Sequence, residues 1–162
     1  MTPSLQILPL APQHEFALTQ LIFELKTRRA MHGLDDFRTQ ADVRTFAHAT
    51  YCRPVRYLAF VAAPTDTNSV VGAAFIEGPH ALLSYMVSPA HWRQGIGMAL
   101  VREVMARCRE QFGLPELHAM VSRGNEPSRQ LLKRLDFRLV GSRRIRLASH
   151  FDENVDLYAK AL

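Results

Sequence analysis

The residues with the most chemical content lie together, in Leu83-Ser84-Tyr85-Met86-Val87-Ser88-Pro89-Ala90-His91-Trp92-Arg93-Gln94-Gly95-Ile96-Gly97-Met98-Ala99-Leu100. They read as a strand, a short polar turn and a glycine-rich helix start. At such a start successive N–H groups have no intrahelical partner, and the helix dipole adds partial positive charge. The result is an anion site suited to phosphate, where glycines let the ligand approach the backbone with no Cβ in the way. The same two glycines also read as small residues that let a helix pack closely on a strand. The chain has no Gly-Lys-Ser/Thr of a nucleoside-triphosphate loop, and no full Gly-x-Gly-x-x-Gly followed by an acid about 20 residues on. A dinucleotide fold would also place its glycines after the first strand of a parallel sheet, whereas these follow a run of hairpins.

The elements that must hold this segment follow from periodicity and turn chemistry. Ser4 to Leu10 reads as a strand, and Pro12 starts a helix in which Phe16, Leu18, Leu21, Ile22 and Leu25 recur at helical spacing, ending before Gly33. Ala41 to Ala49 suggests a second helix after a polar loop with Asp35 and Asp36. Val55 to Ala63, Val70 to Ile76 and Ala81 to Val87 read as three strands of an antiparallel meander, with turns at 64–69 and at Gly78-Pro79. A long amphipathic helix opens at Gly95 and stops at Gly113-Leu114-Pro115. Leu117 to Val121 is a strand, Asn125 an N-cap, and Leu131, Leu132 and Leu135 the buried stripe of the next helix. Phe137 to Val140 and Asp156 to Ala161 close the chain as strands. The expected fold class is α+β, a mixed but mostly antiparallel sheet flanked by about four helices, in a single domain spanning residues 1–162.

Composition narrows the partners. The 162 residues carry a formal net charge of +5, with 48% hydrophobic and 22% charged residues, an ordinary globular balance. The excess is local: twelve Lys and Arg face five acids between His91 and Arg146, while the first ninety residues are neutral. No apolar run approaches the roughly 20 residues of a membrane span, and no basic segment leads into an apolar core as in a signal peptide. The two cysteines, Cys52 and Cys108, read as reduced packing residues of a cytoplasmic protein. Arg143-Arg144-Ile145-Arg146 matches no nucleic-acid motif, so nucleic acid is not an expected partner.

In Leu83 to Phe137 the sequence resembles the GNAT superfamily of acyl-CoA-dependent N-acetyltransferases, and by element order the resemblance covers nearly the whole chain. Members look like a strand ending Val-x-Pro followed by Arg/Gln-x-x-Gly-x-Gly/Ala, matched here by Val87, Pro89, Gly95 and Gly97. About thirty residues later they carry Asn-x-x-Ala-x-x-Leu-Tyr-x-x-x-Gly-Phe, where this chain has Asn125, Ser128, Leu131, Leu132, Asp136 and Phe137. The resemblance implies acetyl-CoA as acyl donor, no metal, and an amine acceptor. The amides of Arg93, Gln94, Gly95, Ile96, Gly97 and Met98 would hold the pyrophosphate. The backbone of Tyr85, Met86 and Val87 would pair with the pantetheine arm, and Asn125 and Ser128 would border it. A basic mouth formed by Arg93, Arg123 and Arg129 would suit the phosphates. Family members are often dimers, so a homodimer is possible.

Three departures bear on catalysis. Trp92 stands where the family has Arg or Gln, Asp136 replaces a Gly in a turn that calls for the left-handed region, and Leu132 replaces the Tyr that protonates the leaving thiolate. Met120 stands where some members carry a Glu, which leaves Glu77 as the nearest candidate base and Tyr85 as the candidate acid; His80, His118 and Tyr158 are weaker alternatives. Asp35 and Asp36 could attract a cationic amine. The expected activity is acetyl transfer to a primary amine of a small molecule or peptide. The alternative is a catalytically silent acyl-CoA sensor of the same fold.

Overall fold

The computed structural model describes residues 4–27, 34, 36–52, 57–65, 67, 69–146 and 152–162. The end of the first helix, Asp35, the start of the second strand at Val55 and the turn residues Asp66 and Asn68 lie outside them. The described elements run β1 (Leu5–Pro9), α1 (Glu15–Thr27), α2 (Gln40–Cys52), β2 (Tyr57–Pro64), β3 (Gly72–Glu77), β4 (Leu82–Val87), α3 (Ile96–Phe112), β5 (Glu116–Ser122), α4 (Glu126–Arg134), β6 (Arg138–Arg146) and β7 (Asp152–Ala161). Pro12 opens a single 3₁₀ turn rather than α1 itself, and Thr39 and Asp42 cap α2 reciprocally, the Thr39 N–H donating to Asp42 Oδ2 at 2.6 Å.

One seven-stranded sheet has the order β1-β2-β3-β4-β5-β7-β6. Among the described residues every strand pairing is antiparallel except β4 with β5, which is parallel and registers only at Leu82↔His118 and Leu83↔Ala119. The expected mixed, mostly antiparallel α+β architecture is the observed one. The closing strands are longer than their apolar residues suggest: β6 and β7 pair from Arg138↔Ala159 to Arg146↔Asp152. Main-chain hydrogen bonding carries this hairpin through Arg143, Arg144 and Arg146, and β6 is an edge strand whose charged side chains stay in water.

Alternation along each strand splits the core between the two faces of the sheet. Ala74 and Ile76 of β3 and Leu83 of β4 pack with Leu100, Val101, Val104 and Cys108 of α3, with Leu132 of α4 and with Leu135 just after it. Ala73 and Phe75 of β3 and Met86 of β4 pack on the opposite face with Leu18, Leu21, Ile22 and Leu25 of α1 and with Val43 and Ala47 of α2. Each such fully buried Leu or Ile contributes about 1.5–3 kcal/mol of transfer free energy, so both faces hold the sheet firmly beside its central gap. Cys108 is buried in the first cluster, and burial pushes its thiol up to about 11, which keeps it protonated and inert. Cys52 is not a packing residue: it is exposed on α2, its Sγ 3.5 Å from His48 Nε2. Among the described residues no helix is long and apolar enough to cross a membrane.

Candidate functional site

The central feature is an open edge on β4. Ser88 N–H donates to Val71 C=O at 2.8 Å, and His118 N–H donates to Ala81 C=O at 3.1 Å. Main-chain groups alternate between the two sides of a strand. Those of Ser84 and Met86 therefore turn toward β3, and those of Leu83, Tyr85 and Val87 turn toward β5. Registered pairing with β5 ends at Leu83, while β5 continues to Ser122 against β7 on its other side. Tyr85 and Val87 are left facing a gap. The Val87 carbonyl accepts from Trp92 Nε1 at 2.8 Å, which confirms the parity and gives the 51% exposed indole a definite role as a cap on that edge. Met86 departs from the expectation for the strand edge, because its main chain pairs with Ala73 and its side chain is buried against α1 and α2.

Beyond Val87 the chain makes one 3₁₀ turn, Pro89–His91, and then enters α3 through two left-handed residues, Arg93 at φ +62° and Gly95 at φ +80°. Ala99 N–H donates to Gly95 C=O at 3.0 Å, so the N–H groups of Ile96, Gly97 and Met98 precede the first helical bond. Left-handed residues of this kind curl successive N–H groups into a concave, anion-binding nest. Arg93 adds an exposed guanidinium with no ion pair among the described residues, Gln94 Nε2 reaches back to Ala90 C=O at 3.5 Å, and the Ile96 side chain anchors the turn in the core. The two glycines have different causes. A Cβ on Gly95 would meet nothing within 4 Å, so its glycine is conformational. A Cβ on Gly97 would lie 3.0 Å from Leu131 Cδ1, 3.7 Å from Val87 Cγ2 and 4.0 Å from Tyr85 Cε2, so its glycine permits close packing of α3, β4 and α4.

Asn125 is the N-cap of α4, its Oδ1 accepting from Ser128 N–H at 3.2 Å. Ser128 C=O in turn lies 3.5 Å from the Tyr85 hydroxyl. Tyr85, Gly97, Asn125 and Ser128 are thus brought together on the α3–α4 face. Burial pushes the Tyr85 hydroxyl up and keeps it protonated. Leu132 is 0% exposed inside the core, with no access to the gap. Asp136 takes the left-handed region its position calls for, at φ +60°.

Glu77 is not beside Tyr85. It pairs across β3–β4 with Leu82, one residue out of phase with the face that carries Leu83 and Tyr85, and lines an open cleft of about 590 Å³ on the opposite face. His80, Leu82, His118, Met120, Leu157 and Arg143 line the same cleft. Burial pushes the Glu77 carboxyl up, and His118 is paired with Glu116 at 2.8 Å. Tyr158 is fully buried, with its hydroxyl against the Arg129 guanidinium. Asp36 is an exposed turn residue.

Two arginines expected at the phosphate mouth are engaged elsewhere. Asp156, buried in β7, accepts from Ser142 Oγ at 2.7 Å and Arg123 Nε at 3.0 Å, with Arg129 Nη2 at 3.5 Å. The Ser142 hydroxyl first, then Arg123 and Arg129, hold its carboxyl below the usual range. The sequence reading also missed Glu24, which accepts from Ser88 Oγ at 3.0 Å and ties α1 to the end of β4. Only its place on the helical stripe beside Leu21 and Leu25 could have pointed to the sheet. Among the described residues no three His, Cys, Asp or Glu side chains converge to hold a metal ion.

The family model for the Acetyltransferase (GNAT) family matches residues 20–137, most of the chain and all of the gap, the nest and α4. The chain belongs to that family. Solved acetyltransferase structures share its fold at low identity. A ribosomal L7/L12 alpha-N-protein acetyltransferase in complex with coenzyme A superposes with a TM-score of 0.85 at 16% identity, covering 100% of this chain and 96% of that one. A ribosomal-protein-S5-alanine acetyltransferase from Vibrio fischeri gives 0.82 at 14% identity, with 97% and 92% covered. A microcin C7 self-immunity acetyltransferase in complex with acetyl-CoA and AMP gives 0.82 at 14%, with 100% and 94% covered. A comparison with curated protein sequences finds no significant match. As a GNAT acetyltransferase the protein is an acyl-CoA-dependent acyltransferase.

Proposed function

We propose that this GNAT protein transfers an acetyl group from acetyl-CoA directly to a primary amine of a small molecule or peptide. The observation that carries the reading is the free edge at Tyr85 and Val87 running straight into the left-handed entry of α3. An amide-bearing arm fits the first and a pyrophosphate fits the second. In this reading Tyr85 C=O and Val87 N–H pair with the pantetheine arm, and the amides from Arg93 to Met98 hold the pyrophosphate. The Asn125 side-chain nitrogen, left free by its capping oxygen, donates to the arm beside Ser128. Acceptor and donor approach from opposite faces and meet in the gap between β4 and β5.

Glu77 lies on the acceptor side and acts as base through a water. The amine nitrogen forms a bond to the acetyl carbonyl carbon, the carbon–sulfur bond breaks, and the thiolate leaves. The amine's proton passes through water to Glu77. Tyr85, kept protonated by burial on the donor face, or solvent returns a proton to the thiolate. A thiolate leaves readily, since a cysteine-like thiol has a pKa of about 8.5, and this offsets the missing tyrosine at Leu132. Two unpaired thiols and a diffusible nucleotide donor suit a cytoplasmic setting.

Thiol release from acetyl-CoA against a panel of amines tests the reading, with activity rising through the titration of Glu77 and falling sharply in Glu77→Gln. A rise in melting temperature on adding acetyl-CoA, with no thiol released by any amine, would favour the silent sensor instead. No rise would count against both.

A further inference from the structure

The cleft beneath Glu77 has two charged walls, and neither has an ion-pair partner among the described residues. Glu77 has no ion pair among the described residues, and its carboxylate borders an apolar floor of Leu82, Met120 and Leu157. On the far wall Arg143 of β6 extends over that floor, its Nη2 3.1 Å from Met120 Sδ, and it too has no acidic partner among the described residues. Its neighbours on the basic stretch do: Arg144 binds Asp152 at 2.8 Å, and Arg123 and Arg129 share Asp156. Glu77 and Arg143 are not paired with each other although they line the same space. An open cleft of about 590 Å³ with a lone carboxylate at one end, a lone guanidinium at the other and apolar residues between is complementary to a ligand of the reverse polarity.

We propose that the acceptor is an elongated amine whose far end is anionic, seated with the amine toward Glu77 and the anion on Arg143. The proposal rests on the amine-acceptor reading above and adds the substrate's shape and charge. The spacing follows from the sheet. The floor residue under Arg143, Met120, lies on β5, and β3 with Glu77 is two strands away. At about 4.8 Å per strand and 3.3 Å per residue, Met120, two strands across and two residues along from the level of Glu77, stands roughly 12 Å from it, the span of three to four extended peptide residues. A peptide amine with a carboxylate about three residues on has this form. The guanidinium, a rigid fork of donors, suits a carboxylate better than an ammonium would.

The test uses trialanine with a free C-terminal carboxylate and trialaninamide, which share an α-amine and differ at the anionic end. Thiol release from acetyl-CoA should favour trialanine by about tenfold in kcat/KM, mostly through KM, and the preference should peak near three residues across alanine, dialanine, trialanine and pentaalanine. Arg143→Gln should bring the ratio close to one, and Arg143→Lys should keep part of it. A second readout does not need turnover: with CoA present, trialanine should raise the melting temperature of the wild type more than that of Arg143→Gln. Equal turnover of both tripeptides in both proteins would overturn the proposal and leave amine acetylation standing. Stabilisation by trialanine that depends on Arg143, with no thiol released, would uphold the cleft and refute the transfer reading. If trialanine is not turned over and does not raise the melting temperature, the proposal is overturned.

Discussion

Gly95 offers the sharpest test of how the nest is built. It stands at φ +80° with nothing within 4 Å of where a Cβ would be, so Gly95→Ala meets no steric obstacle and only a conformational one. An L residue in the left-handed region costs about 1–2 kcal/mol. In a chain of this size each kcal/mol moves the melting temperature by about 2–4 °C, so the variant should melt about 2–8 °C lower. Gly97→Ala is the contrast, because it lies in a right-handed turn and its methyl meets the flexible end of Leu131 at 3.0 Å. There the crowding is offset by about 0.8–1 kcal/mol of helix propensity, and melting should stay within about 2 °C of the wild type. Differential scanning fluorimetry with and without CoA completes the test. CoA at 100 Kd stabilises the wild type by about 2.7 kcal/mol, or about 5–11 °C. In Gly95→Ala the strained residue escapes to another conformation and turns the amides of Ile96, Gly97 and Met98 away from the ligand, so this rise should at least halve. Equal melting temperatures and equal CoA shifts for Gly95→Ala and wild type would refute the reasoning.

Three further outcomes are expected. Trp92 is the chain's single tryptophan and its N–H sits on the Val87 carbonyl, so saturating CoA should shift its emission; Trp92→Phe, which keeps a ring and removes the donor, should cost about 0.5–1.5 kcal/mol of stability, and unchanged emission would place the arm away from Val87. Burial raises the Glu77 carboxyl above 4.5, so the folded state holds that proton more tightly than the unfolded one and loses stability as pH rises through the raised value; Glu77→Gln should therefore melt higher than wild type at pH 7 and equally at pH values below 4.5, and a lower melting temperature at pH 7 would contradict this sign. Asp156 has the opposite sign, since its folded value is held below 3.8 by Ser142, Arg123 and Arg129: its contribution is complete above 3.8 and is lost as pH falls through the depressed value, so Asp156→Asn should destabilise the protein at pH 7 and flatten the acid limb of its stability curve, as read by urea unfolding across pH.

The strand–turn–helix proposed as the donor side was legible in the sequence because its geometry is local. Val87, Pro89, Gly95 and Gly97 on a strand–turn–helix, with Asn125 and Ser128 on the next helix start, carry their meaning within a few residues, through caps, left-handed turns and unpartnered amides. Asp136, which replaces the Gly of the family pattern, does take the left-handed region at that turn. The length of β6 and β7 was not legible. Their pairing is a main-chain affair between two neighbouring segments, and Arg143, Arg144 and Arg146 hide the end of β6 from any apolar pattern.

What the sequence determined by itself is thus the order of elements, the identity of the two motifs and a glycine-rich helix start suited to an anion. The tertiary structure alone decided which groups face which space. It set the parity that gives Tyr85 and Val87, and not Met86, to the open edge. It put Tyr85 and Glu77 on opposite faces of one sheet, turned Leu132 into the core, and drew Arg123 and Arg129 to Asp156 while leaving Arg143 alone across the cleft from Glu77. The physical reason is the period of two along a strand. One residue of register exchanges the faces, and register is set by partners far away in the chain, so no local reading of residue types can supply it.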